Sequence, residues 1–162
     1  MPATATRKPK YVVRRSRIHG RGVYAGRDLA KGERVIEYKG EVIGTREADR
    51  RPPSDLDDDS HTFFFSLSDG KRVIDAAVGG NAARWINHSC APNCESEEKD
   101  DGRVFIVTLR AIKAGEELFY DYALTTDDRL TTALKQQYRC LCGAKNCRGT
   151  MFETKRRAKK KS

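Results

Sequence analysis

A β-dominated fold is predicted by three observations. Seven short runs rich in β-branched and aromatic residues recur along the chain, turn sequences built on Gly and Asp separate them, and helical periodicity is scarce. In order, the runs are "YVVRR" (11–15), "GVYA" (22–25), "RVIEYKGEVI" (34–43), "TFFFSL" (62–67), "RVIDA" (72–76), "VFIVTL" (104–109) and "ELFYDY" (117–122). The punctuation includes "AKGE", "SDGK", "KDDGR" and "KAGEE", in which Gly supplies positive φ and Asp bonds its own backbone.

Helix is confined to short pieces. "TREADRR" (45–51) is expected to form about two turns before Pro52 and Pro53 stop it, and "GNAARWIN" (80–87) a short helix. The polar, Pro-led "PPSDLDDDS" (52–60) reads as an exposed loop, with His61 exposed beside it. Residues 125–137, "TTDDRLTTALKQQ", read as a partly helical linker to a separate cysteine cluster, "YRCLCGAKNCRGTMF". No internal repeat is visible, which argues against solenoids and propellers.

A chain of 162 residues is long enough for one core and a small appendage. No run of 18 apolar residues occurs, so no membrane span is expected. The N-terminus "MPATATRKPK" lacks the apolar segment of a secretory signal, so the expectation is an intracellular protein whose five cysteines are ligands or core residues rather than disulfide partners.

The net charge of +9 is unevenly distributed. Residues 1–17 and 155–162 each carry six Lys and Arg and no acid, which leaves 20 basic against 23 acidic residues between them, a sum of −3. A mildly acidic body suits a basic polypeptide partner, while the basic ends suit nonspecific phosphate or DNA contact or nuclear import; equally, such tails can serve solubility alone.

Cys140, Cys142 and Cys147 form a C-x-C-x4-C cluster with Gly143 at a turn, among polar neighbours that make a poor core segment. Such spacing brings three thiolates to one zinc ion; tetrahedral zinc needs four ligands, so the fourth is Cys90 or Cys94. Either choice ties the tail to "ARWINHSCAPNCESE" (83–97) and couples metal binding to whatever site sits there. "HGRG" (19–22) is a turn between two strands that could let backbone approach a ligand, with no phosphate-loop pattern around it. In "GEELFYDY" (115–122), strand alternation puts Tyr120 and Tyr122 on one face and Phe119 and Asp121 on the other; two tyrosines so placed are core residues or the wall of a channel.

Taken together and in this order, "HGRGVYA", "RVIEYKGEVI", "RVIDA", "GNAARWINHSCAPNC", "GEELFYDYA" and "CLCGAKNCRG" closely resemble the SET domain of protein-lysine methyltransferases, with its C-terminal post-SET segment. The match covers residues 11–153 and looks most like the trithorax class. The resemblance implies a mainly β fold of several small sheets around a pseudoknot, with short helices and a zinc-binding post-SET segment. It divides the chain into a basic N-terminus (1–10), a SET domain (11–124), a linker (125–137), a post-SET segment (138–153) and a basic tail (154–162). It also implies methyl transfer from S-adenosylmethionine to a lysine of a basic protein, a histone tail or histone-like, in a nucleus or in a bacterium.

Residue by residue, His19, Gly20, Arg21 and Gly22 match the family's first cofactor-binding motif, Asn87 and His88 its cofactor-binding pair, and Leu141 a position on the adenine side. Cys90 matches the remote zinc ligand beside Cys140, Cys142 and Cys147, which leaves Cys94 as a core thiol. Tyr122 matches the catalytic tyrosine and Tyr120 the position that sets methylation number, where tyrosine favours monomethylation. Phe63 stands where the family usually has a tyrosine of the cofactor and lysine pocket, one hydroxyl fewer and an expected cost of about 1 kcal/mol. The substrate peptide is expected to add along a strand edge as an extended chain. Two rival readings stand beside this one: a non-catalytic SET-like module that binds chromatin or DNA through the basic ends, and a zinc hydrolase, which four thiolates exclude because no coordination position stays open.

Overall fold

The computed structural model describes residues 8–18, 20–51, 63–124, 129 and 131–153. The expectations for His19, for the 52–60 loop, for His61 and for most of the two basic ends lie outside those residues. Among the described residues, ten strands form four small sheets. β1 (Tyr11–Arg15) and β2 (Arg21–Ala25) make an antiparallel hairpin with Arg15 opposite Arg21. β3 (Arg34–Glu37) joins two later strands in the order β3-β9-β8, and β4 (Glu41–Gly44) likewise in the order β4-β6-β5, where β5 is Phe64–Ser66, β6 Arg72–Asp75, β8 Cys94–Glu98 and β9 Val104–Thr108. The fourth sheet is a two-residue parallel pair, β7 (Asn87–His88) with β10 (Phe119–Tyr120).

The expected fold class is the observed one, and all seven β-type runs contain strands. "RVIEYKGEVI" is not one strand but two that serve different sheets, because the chain must cross over at residues 38–40. Gly40 marks the crossing: a Cβ there would lie 2.4 Å from the carbonyl oxygen of Asp75, so only glycine lets the two backbones pass. α1 (Thr45–Arg50) ends before Pro52 as expected, α2 (Thr132–Gln137) supplies the helical part of the linker, and "AARW" forms a single 3₁₀ turn, Ala82–Trp85. Asn81 caps the N-terminus of that turn, accepting from the Ala83 N–H at 3.2 Å, and ties it to β3 by donating to the Glu37 carbonyl at 2.9 Å.

β9 carries the centre of the core. Its five residues are all buried, the signature of a strand covered on both faces, and Val104 and Ile106 pack into one cluster with Val23, Leu29, Ile36, Ile86, Ile112 and Leu118. Each such aliphatic side chain contributes about 1.5–3 kcal/mol when fully buried. Cys94 is fully buried in the same cluster, as expected of the spare thiol, and burial pushes its pKa up to about 12. No helix of the described residues is long and apolar enough to cross a membrane.

One buried polar side chain joins distant segments. Asn93 is 5 % exposed; its amide donates to the Glu117 carbonyl at 2.8 Å and accepts from the Phe119 N–H at 2.8 Å, while its own carbonyl accepts from the Leu109 N–H. Replacing it leaves a buried N–H and a buried C=O unsatisfied. Asn93→Ala should therefore lower stability by about 2–4 kcal/mol, read as a fall in the urea midpoint at unchanged m-value.

Candidate active site and thiolate cluster

Three segments far apart in sequence converge around β7 and β10. The stretch leading into β10 first runs along β2, with Ala25 N–H donating to the Glu116 carbonyl at 2.8 Å and Leu118 N–H to the Val23 carbonyl at 2.7 Å. It then pairs in parallel with β7, Phe119 against Asn87 and Tyr120 against His88. The β1–β2 hairpin, the "NH" dipeptide and the "FYDY" run thus lie side by side.

β10 ends before Asp121, yet Tyr120 and Tyr122 still pack together, with ring centroids 4.9 Å apart. The Tyr122 hydroxyl donates to the Ile86 carbonyl, its ring lies 5.3 Å from that of His88, and its N–H donates to His88 Nδ1 at 3.0 Å. Burial pushes the pKa of Tyr120 up, and burial followed by the neighbouring Tyr120 and Glu117 pushes that of Tyr122 well above 10. Both hydroxyls stay neutral. Tyr38 completes the aromatic wall: it is 4 % exposed, its hydroxyl donates to the Phe63 carbonyl at 2.8 Å, and Phe65 lies between it and Tyr120 at 5.3 and 6.5 Å. Phe63 itself is buried edge-on against Trp85 at 5.3 Å.

The "HGRG" turn uses its glycines differently. Gly20 takes φ +48 with open space where a side chain would be, whereas a Cβ on Gly22 would come within 2.2 Å of Glu117 Oε1. The Arg21 guanidinium lies over the Trp85 ring at 5.4 Å, and the Arg21 carbonyl accepts from the Asn87 amide at 3.0 Å.

The thiols of Cys90, Cys140, Cys142 and Cys147 all lie within 4.8 Å of one another, a group that could hold a metal ion. Backbone N–H groups of Arg148, Cys142 and Gly149 point at the sulfurs of Cys90, Cys140 and Cys147 at 3.3, 3.4 and 3.4 Å. Burial raises the pKa of Cys142, but N–H bonds from Cys90 and Ala144, then the neighbouring thiols, bring it down to about 6. Leu141, held between two of these cysteines, is 47 % exposed. Cys94 is absent from the group, so of the two candidates for the fourth position Cys90 is the one the fold brings in.

Two links run from this cluster to the tyrosines. His88 sits between them: Nδ1 accepts from Tyr122, so the ring proton is on Nε2, which faces Cys90 Sγ at 3.5 Å. Burial lowers the His88 pKa to about 4, against the opposing pull of Asp121, so the ring is neutral. The second link is Arg148, whose guanidinium makes a bidentate pair with Asp121 at 2.7 and 3.0 Å.

A SET domain family model matches residues 20–123 of the chain. The chain belongs to the SET domain family. It is 42 % identical over 137 residues to the histone-lysine N-methyltransferase trithorax of Drosophila virilis, covering 83 % of the chain and 3 % of that protein. It is 44 % identical over 140 residues to the histone-lysine N-methyltransferase trr of Drosophila melanogaster, covering 85 % and 6 %. Against human histone-lysine N-methyltransferase 2D the identity is 42 % over 141 residues, covering 85 % and 2 %. The chain thus spans less than a tenth of the length of these relatives.

Within this SET domain the structure brings Gly20, Arg21, Gly22, Asn87, Tyr120 and Tyr122 to one region, with Phe63 on its aromatic side through Trp85 and Tyr38. Sequence reasoning missed Tyr38, Asn93, Glu117 and the Arg148–Asp121 pair. Glu117 was hidden in "KAGEE", read as turn punctuation, and Tyr38 in a run read as a single strand. The unused signal for Arg148 was a cation directly after the last cluster cysteine. Arg148→Ala should cost about 1–2 kcal/mol, and Arg148→Lys should recover only part of that because an ammonium cannot make the forked pair; urea midpoints of both variants check this.

Proposed function

We propose that the protein is a histone-lysine N-methyltransferase that uses S-adenosylmethionine. The observation that carries the reading is the neutral Tyr122 hydroxyl held at the Ile86 carbonyl between Tyr120 and His88, beside buried Asn87. The resemblance to histone-lysine methyltransferases over most of the chain supports it.

The residues present fit the cofactor. The open space at Gly20 and the buried, oriented amide of Asn87 suit the amino-acid part, and the exposed Leu141 gives an apolar face for the adenine. When bound, S-adenosylmethionine supplies an electrophilic methyl group on a sulfonium sulfur. The chain's own part is alignment, which can contribute about 7–11 kcal/mol. The acceptor lysine, with an ordinary pKa of about 10.4, must arrive or become neutral, and the aromatic wall of Tyr38, Phe65, Tyr120 and Tyr122 favours the uncharged amine by desolvation. Tyr122 orients that amine through its hydroxyl; a phenol held well above pKa 10 is no general base. Tyr120, its ring packed against Tyr122 and Phe65, narrows the room for an already methylated nitrogen and favours monomethylation.

Cys90, Cys140, Cys142 and Cys147 hold zinc in a closed four-sulfur site, structural rather than hydrolytic. The division into a SET domain (11–124) and a post-SET segment (138–153) follows the resemblance to the family. The substrate is a basic segment drawn to the acidic body, and the basic ends make nonspecific phosphate contacts at chromatin.

Radiolabelled methyl transfer to a histone panel, with mass spectrometry of the product, tests the reading; a protein that binds DNA yet never transfers methyl would overturn it. Tyr122→Phe should lower kcat about 100-fold or more, and Tyr120→Phe should shift the product toward di- and trimethyl-lysine. Chelation should release one zinc per chain, make four thiols reactive while Cys94 stays silent, and abolish transfer; thiol titration with metal analysis measures this.

A further inference from the structure

We propose that Glu117 is the positioning residue that sets both halves of the cofactor site at once; the inference rests on the methyltransferase reading above. Its carboxylate oxygen Oε1 accepts from the Ser16 hydroxyl at 2.7 Å and from the Asn87 amide at 3.1 Å. These partners come from different parts of the site. Ser16 closes the β1–β2 turn: its hydroxyl accepts from the Ile18 N–H at 3.0 Å, and its own N–H donates to the Gly20 carbonyl at 2.7 Å. Asn87 belongs to β7 and also donates to the Arg21 carbonyl. One carboxylate oxygen therefore bonds both the turn and the amide.

The chemistry requires an acceptor oxygen here. The Asn87 Nδ2 group faces two acceptors, the Arg21 carbonyl and Glu117, so the amide can take only one of its two orientations. An apolar side chain at 117 would remove one of the two acceptors of that amide and the acceptor of the 2.7 Å bond from the Ser16 hydroxyl. Gly22 fits the same reading, because any Cβ there would push the carboxylate away. Glu117 is itself fixed by its backbone, which accepts from Asn93 and bridges to Tyr24. Its position is thus dictated by the core rather than by the ligand, which is what pre-organisation of a binding turn needs.

The test is calorimetric binding of S-adenosylhomocysteine, with steady-state kinetics alongside, for the full chain carrying Glu117→Ala, Glu117→Gln or Ser16→Ala. Glu117→Ala should weaken binding about tenfold or more, the size expected for hydrogen bonds to a charged group, and raise KM for S-adenosylmethionine without changing KM for the peptide. Glu117→Gln, which keeps an acceptor oxygen, should restore part of the affinity. Ser16→Ala leaves the carboxylate in place and should weaken binding about threefold or more, so it decides the matter if Glu117→Ala fails to fold. Binding within twofold of the parent for the folded variants, or equal losses for cofactor and peptide, would overturn the inference while leaving the methyltransferase reading intact. A parent chain that neither binds S-adenosylhomocysteine nor transfers methyl would overturn both.

Discussion

The parallel pairing of β7 with β10 is the contact on which the rest of the site depends. It is two residues long, and a parallel ladder of that length has almost no stability of its own. What holds it is a set of side-chain bonds from outside the ladder: Asn93 to both sides of Leu118, Glu117 to Asn87, and His88 to the Tyr122 N–H. Each tie joins residues at least 24 positions apart, so none can form until the chain has folded around the β9 core. The ladder is a product of tertiary structure that then becomes its centre.

Buried polar groups are costly unless satisfied, and here they are satisfied mostly by one another. That has an electrostatic consequence. His88 and the tyrosines all sit in their neutral forms at ordinary pH because burial disfavours the charged ones, so the centre of the site carries little charge of its own. The charged side chains lie at its edges, Glu117 toward the β1–β2 turn and the Arg148–Asp121 pair toward the four thiols. A weakly charged aromatic centre suits a step in which a neutral amine is the nucleophile.

Much of this was legible in the sequence, and the gaps have physical causes. The seven β-type runs were readable because each has β-branched or aromatic residues bounded by Gly and Asp. β7 and β8 were not: Asn87–His88 carries no strand propensity at all, and "CESEE" is an acidic edge strand whose partner, not its composition, makes it β. The split of "RVIEYKGEVI" turned on Gly40 meeting Asp75, a contact between residues 35 apart that no local pattern encodes. The cysteine cluster was legible as three ligands because spacing reveals them. The choice between Cys90 and Cys94 needed the resemblance to a family, since only the fold shows that one faces the cluster and the other the core.

The position of Cys90 ties the thiol cluster to the tyrosine pair. It stands two residues after His88, so a thiolate cluster that fixes Cys90 also fixes the end of β7. From the other side, Arg148 follows Cys147 directly and grips Asp121, which lies between the two tyrosines. The cluster thus holds both strands of the parallel pair, one by its backbone and one by a guanidinium. Releasing the thiols removes the outer support of a ladder too short to stand alone, and the wall of Tyr120 and Tyr122 loosens with it. Binding energy from a metal held at the sulfurs would in that way act on the geometry of the tyrosine hydroxyls.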